Sequence, residues 1–118
     1  MIQRLKTDFE FSDDRGTLIQ LCRGGYSQIN VVTTRAGVVR GGHYHKLNTE
    51  IFYMISGKCH VTTRKDGKVE SEIFETGDFF RIEPFTIHDF EYLENTVMVT
   101  MYSLGVEIDN AGMDIYTE

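Results

Sequence analysis

The sequence has little that would staple, segment or anchor a chain. It holds two cysteines and one proline in 118 residues, and its longest apolar run is Ile51–Ile55. That run is far short of the roughly 20 residues of a helical membrane span. Met1–Asp8 lacks the apolar stretch of a signal peptide. Cys22 and Cys59 therefore read as free thiols in a reducing compartment, and the expected location is the cytoplasm, with no membrane partner. Basic residues are also short, with 12 Lys and Arg against 18 Asp and Glu for a net charge of −6. They are scattered, Arg64 and Lys65 forming the densest pair, so no patch is available to neutralise a phosphate backbone. Nucleic acid is a poor candidate partner. No repeat, low-complexity tract or linker divides the chain, and its length fits one domain over residues 1–118.

What is present points to strands. Eleven glycines break the chain into short segments, with turn signals such as Asp13–Gly16, Gly41–Gly42, Asp66–Gly67, Thr76–Asp78 and Asn110–Gly112. Between them lie runs rich in β-branched and aromatic residues: 17–22, 27–34, 50–55, 58–64, 69–74, 79–82, 88–93 and 96–104. Lys65-Asp66-Gly67 suits a hairpin turn. The best helical candidate is Lys46–Ile55, with Leu47, Ile51 and Met54 at helical spacing. Its second half is β-branched and aromatic and Gly57 follows at once, so a strand is expected. Many short strands separated by turns predict an all-β sandwich or closed barrel.

Two of the four histidines stand as His43-Tyr44-His45. On a helix, residues two apart face different directions; on a strand they share a face and can chelate one ion. Glu50 heads the next apolar run, and His88 opens a later strand just after Pro84. Three imidazoles and a carboxylate suit a divalent transition metal with open positions, whether zinc, iron, manganese or nickel. His60 stands apart and reads as an ordinary hydrogen-bonded histidine.

The spacing Gly37, five residues, His43, one, His45, four, Glu50, six, Gly57 resembles the first motif of the cupins. Gly77-Asp78, Pro84 and His88 follow in the order of the second motif. Phe85–Ile87 occupy the stretch where that motif usually has a glycine, and Tyr92 stands where it has an asparagine. The resemblance implies a single cupin jelly-roll β-barrel with the metal inside its mouth, held by His43, His45, Glu50 and His88. Asp14-Arg15-Gly16 near the start and Arg40-Gly41-Gly42-His43 at the first motif are similar to cupins acting on nucleotide-linked deoxysugars, the 3,5-epimerases and 3,4-ketoisomerases. The Asp114-Ile115-Tyr116 ending is similar to the cupin domain of bifunctional capsular-polysaccharide enzymes. Those carry a fused reductase; this sequence has no matching dinucleotide-binding glycine pattern, so it is expected to work alone or with a separate reductase as partner.

That resemblance implies acid–base chemistry beside a 4-keto sugar, whose C3 proton is acidified. The catalytic candidates are Lys46, Tyr92 and Tyr102, with Arg40 to grip a diphosphate. Each tyrosine also has a plainer reading as a hydrogen-bonded barrel residue. Strand parity puts Tyr92 and Phe90 on the face of His88, and Phe52 and Met54 on the face of Glu50, while Tyr44 and Tyr53 point away. Phe52, Met54 and Phe90 are thus expected to edge a substrate pocket. Asp14 and Arg15 are equally well read as a turn with a salt-bridging arginine.

The leading functional expectation is an isomerase or epimerase of a nucleotide-linked keto-sugar in surface polysaccharide synthesis. A mononuclear iron or manganese dioxygenase is the second reading, and a non-catalytic small-molecule-binding barrel the third. Residues Ile2–Phe11 look like an unpaired edge strand, which makes a homodimer the expected assembly.

Overall fold

A computed structural model describes residues 1–108 and 112–118. Its strands are β1 (Ile2–Arg4), β2 (Phe9–Asp13), β3 (Gly16–Gln20), β4 (Gln28–Thr34), β5 (Val39–Tyr44), β6 (Glu50–Ser56), β7 (Lys58–Lys65), β8 (Lys68–Glu75), β9 (Phe79–Ile82), β10 (Ile87–Tyr92), β11 (Thr96–Tyr102) and β12 (Tyr116–Thr117). Among the described residues no helix is long and apolar enough to cross a membrane. Asn110 and Ala111 of the expected turn lie outside the described residues.

Two antiparallel sheets face each other, ordered β1-β9-β6-β11-β4 and β12-β5-β10-β7-β8. Strand alternation explains why they close. β7 turns Cys59, Val61 and Thr63 inward, and β10 does the same with His88, Phe90 and Tyr92. Phe52, Met54, Phe80 and Met98 of the first sheet pack between them. Each such side chain removed from water contributes about 1.5–3 kcal/mol. An aromatic ladder runs through this core: Phe74 on Phe80 at 3.8 Å, Phe80 on Phe52 at 4.9 Å, and Phe52 on Phe90 at 5.0 Å. It closes the interior below His88.

β6 is buried on both faces, which is why it reads as an unbroken apolar run rather than an alternating one. Its odd residues, Ile51 and Tyr53, join Phe79 and Met101 in a second cluster outside the first sheet, covered by Leu5, Leu21, Cys22 and Tyr26. The expected turn after β7 is present, with positive φ at both Asp66 and Gly67 as a type I′ hairpin requires. Both cysteines are free, and burial pushes the Cys59 thiol up to about 12.

The N-terminus departs from expectation. Ile2–Phe11 is not one edge strand: β1 pairs with β9, Leu5 turns into the outer cluster, and β2 pairs only with β3. The β2–β3 hairpin carries Phe9, Phe11 and Leu18 on one face, each at least half exposed. Asp13 and Arg15 sit at its tip, where the guanidinium and the backbone N–H of Arg15 both donate to the Asp13 carboxylate. In this chain the Asp-Arg-Gly segment is therefore a turn, as the plainer reading had it.

Candidate metal centre and substrate cavity

β5 brings in His43, the chain just past it His45, the first residue of β6 Glu50, and β10 His88. Gly41 makes this approach possible, because it passes against the β10 backbone where the pairing shifts between His88 and Asp89. His43 Nε2 lies 3.1 Å from His88 Nε2, and His45 Nε2 lies 3.2 Å from Glu50 Oε1. His88 Nε2 is 3.8 Å from the same carboxylate oxygen. The ligand atoms of the three histidines all lie within 4.8 Å of one another.

The outer ring nitrogens are tied to backbone carbonyls. Nδ1 of His45 is 2.6 Å from the Asp114 carbonyl and Nδ1 of His88 is 3.1 Å from that of Thr86, while His43 bonds the Gly41 backbone. A carbonyl only accepts, so Nδ1 of His45 and of His88 carries the proton, and each of these two rings when neutral presents a bare Nε2. The three Nε2 atoms and the Glu50 carboxylate face one another, and with the rings neutral His45 Nε2 and Glu50 Oε1 are buried without a hydrogen-bond partner; a proton on Nε2 makes the bond to Glu50. Such a cluster is satisfied by a cation between them: a metal, or a proton on His45. Titration follows the same logic. Burial pushes His88 down to about 4 and lowers His43, with the neighbouring imidazoles adding to the effect. For His45, burial also opposes charge, but the Glu50 hydrogen bond and the Asp114 carbonyl outweigh it and raise the value.

A cavity of about 210 Å³ opens beside this cluster. Arg40, Phe52, Phe90, Tyr92 and Tyr102 of the sequence-derived candidates line it, together with His43, Glu50 and His88. Tyr102 is raised well above its ordinary value by burial and by the neighbouring Glu50 carboxylate. Tyr92 is pushed up to about 12, chiefly by burial, with Arg40 and a hydrogen bond to Thr34 acting the other way. Arg40 donates from Nε to the Thr34 hydroxyl at 3.0 Å.

Two expected residues do not reach the cavity. Met54 shares the face of Glu50 and Phe52 but lies deeper, fully buried with its Sδ against the Cys59 thiol. Lys46 follows His45 and so faces the other way, its ammonium 4.2 Å over the Tyr116 ring. His60 stays outside, near Glu91. Sequence reasoning missed Asn30 and Thr100 on the cavity wall. Thr100 shares strand parity with Tyr102 and was findable that way; Asn30 depends on β4 pairing with β11, which no local pattern announces.

Comparison with known proteins agrees with this architecture. The sequence pattern of the polysaccharide biosynthesis C-terminal domain family matches residues 11–116. The UDP-2-acetamido-2,6-beta-L-arabino-hexul-4-ose reductase of Pseudomonas aeruginosa is 31% identical over 117 residues, covering 89% of this chain. The chain spans 30% of that curated relative's length. A 3,4-ketoisomerase from Helicobacter canadensis superposes with a TM-score of 0.82 at 18% identity, over 99% of this chain and 90% of the other. The capsular polysaccharide assembling protein CapF of Staphylococcus aureus gives 0.69 at 21% identity, over 92% and 33%. At such identities the structural likeness shows the fold, which is the cupin jelly roll. The match across nearly the whole chain shows more: this protein belongs to the polysaccharide biosynthesis C-terminal domain family.

Proposed function

We propose that this domain is a metal-bearing isomerase or epimerase of a nucleotide-linked 4-keto sugar, exchanging the proton at C3. The observation that carries the reading is the convergence of His43, His45, Glu50 and His88, with His43, Glu50 and His88 lining a cavity that also holds two protonated phenols. These four residues would hold a divalent transition metal, which when bound supplies Lewis-acid stabilisation to an enolate oxygen.

The protein's own residues supply the rest. A cavity of about 210 Å³ is smaller than the roughly 300–1,000 Å³ of ordinary ligand sites. It fits the sugar ring and leaves the nucleotide outside, and Arg40 on its wall is the cation that a diphosphate needs. Tyr102 on β11 and Tyr92 on β10 come from opposite sheets, so each faces one side of a ring bound between them. Tyr102 lies beside Glu50, so its proton has an acceptor. The C3 proton passes to the Tyr102 oxygen as the phenol proton moves to the Glu50 carboxylate oxygen left free by the metal, the electron pair of the C3–H bond becomes the enolate, and Glu50 afterwards releases the proton to solvent. Tyr92, held protonated at neutral pH, returns a proton to the opposite face and is replenished from solvent.

The curated relative is by name a reductase of a UDP-linked 4-keto sugar, and the C3-inverted ketone made here is a substrate for that class of reaction. A reductase is therefore the proposed functional partner. The half-exposed apolar face of the β2–β3 hairpin supports a homodimer, and the cytoplasm is the compartment that supplies nucleotide sugars.

The test is incubation with a UDP-linked 2-acetamido-6-deoxy-4-keto hexose in heavy water, followed by NMR. Deuterium at C3, lost in His43→Ala, is the expected result. No exchange with either UDP- or dTDP-linked 4-keto sugars would overturn the reading.

A further inference from the structure

Asp114 is fully buried, and nothing in the chemistry above uses its side-chain carboxylate. Its carboxylate accepts the backbone N–H groups of Lys46, Leu47 and Asn48 at 2.9, 3.0 and 3.1 Å, and the Asn48 side-chain amide at 2.8 Å. A buried carboxylate costs several kcal/mol unless its lone pairs are met. Here four donors meet them, and although burial opposes its charge they hold the carboxyl below its ordinary value. Asn48 is locked in turn: its carbonyl oxygen accepts from the Leu104 and Gly105 N–H groups and its amide donates to the Gly105 carbonyl. The loop that carries the chain from His45 to Glu50 is thus fixed from one buried point.

The same segment reaches the histidines twice more. The Asp114 backbone carbonyl takes the His45 Nδ1 proton at 2.6 Å. Two residues on, β12 pairs with β5, placing Tyr116 opposite Tyr44 and Thr117 opposite His43. The Tyr116 ring packs on Tyr44 at 5.6 Å and under the Lys46 ammonium at 4.2 Å.

We propose that Asp114–Thr117 is a strap that positions the imidazoles, with Asp114 as its positioning residue. The carboxylate moors the loop after β5, and the carbonyl fixes His45 in the Nδ1–H form so that its Nε2 lone pair faces Glu50. This accounts for the Asp114-Ile115-Tyr116 motif, and for its functional meaning it rests on His45 being a metal ligand. Without the strap, Nδ1 loses its acceptor and the ring gains by placing its proton on Nε2, toward Glu50. That form has no lone pair to offer a metal.

The test uses nitrogen-15 NMR of the imidazoles in metal-free protein at alkaline pH, where the ring is neutral, and cobalt(II) titration of the same samples. Wild-type His45 is expected as the Nδ1–H tautomer. Asp114→Ala should shift it toward Nε2–H and weaken cobalt binding about 10- to 100-fold, with Asp114→Asn intermediate. Gln28→Ala, which cuts the 2.8 Å bond to the Val106 N–H in the approach to the strap, should leave the tautomer unchanged. If Asp114→Ala does not fold, Tyr116→Ala at the partly exposed end of the strap should give the same shift in smaller degree. A tautomer shift in protein that takes up no cobalt would uphold the strap and sink the metal reading. An unchanged His45 tautomer in folded variants of the strap overturns the proposal.

Discussion

A methyl group added at Gly41 would sit 2.3 Å from the carbonyl oxygen of His88 and 2.8 Å from the α-carbon of Asp89. Both contacts are to backbone, so nothing can rotate aside. Gly41 also has a φ of +128°, where a side chain is strained. Gly41→Ala must therefore lift β5 off β10 and widen the 3.1 Å approach of His43 to His88. Overpacking and strain together should cost about 2–4 kcal/mol, and metal affinity should fall at least about tenfold. Urea denaturation and metal titration of the variant check both, and values matching wild type would mean the two strands have room to spare.

Metal-free protein should lose stability as pH falls from neutrality toward 4. His88 is pushed from an ordinary value of 6.5 down to about 4, so between those values the unfolded chain binds a proton that the folded chain refuses. Its contribution is whole above pH 6.5 and is lost on acidification, about 3 kcal/mol in all. His43, also lowered, acts in the same direction. His45 is raised and acts oppositely: its contribution is present below 6.5 and disappears as pH rises through its folded value. Urea midpoints at pH 7, 5.5 and 4.5 should fall steadily in stripped wild type and fall less in His88→Gln. A flat profile would show that His88 is solvated.

How much of this was legible in the sequence follows from the range of each interaction. The eight expected strands are all present within two residues at each end, because alternation and turn chemistry are local. The four cluster residues were legible for the same reason: His43 and His45 share a strand face, and the motif spacing ties Glu50 and His88 to them. Met54 was misplaced because parity says which face a residue takes and not how far along the barrel axis it lies. Lys46 was misplaced because β5 ends at Tyr44 and the ammonium finds Tyr116, from a strand far away in the chain. Asp114 was legible only as part of the Asp114-Ile115-Tyr116 ending, with no local sign of what it binds. Its partners are 66 to 69 residues distant, and only the closed barrel brings them together.

The two phenols should separate exchange from inversion. If Tyr102 takes the C3 proton, Tyr102→Phe should slow deuterium uptake about 10²- to 10⁴-fold. Tyr92→Phe should leave uptake nearer to wild type while reducing formation of the inverted product, because the face opposite the base then lacks its acid. Proton NMR of the product distinguishes retained from inverted C3. Equal losses in both readouts for both variants would contradict separate roles.

The β2–β3 hairpin should need a second copy of the chain. An isolated two-stranded hairpin is marginal in water, and this one presents Phe9 at 52%, Phe11 at 50% and Leu18 at 58% exposure on a single face. The outer face of β4, an edge strand, exposes Ile29 and Val31 at 66% and 69%. Those two surfaces are complementary in kind, and a two-fold pair would cover each twice. Burying the exposed parts of these five side chains from each copy amounts to about six whole side chains in the pair and contributes about 9–18 kcal/mol at 1.5–3 kcal/mol apiece, enough to offset the roughly 4–15 kcal/mol cost of association. Wild type should therefore sediment as a dimer, and the double variant Phe11→Glu, Leu18→Glu as a folded monomer. Wild type that sediments as a monomer at high concentration would mean instead that the hairpin folds back onto its own barrel.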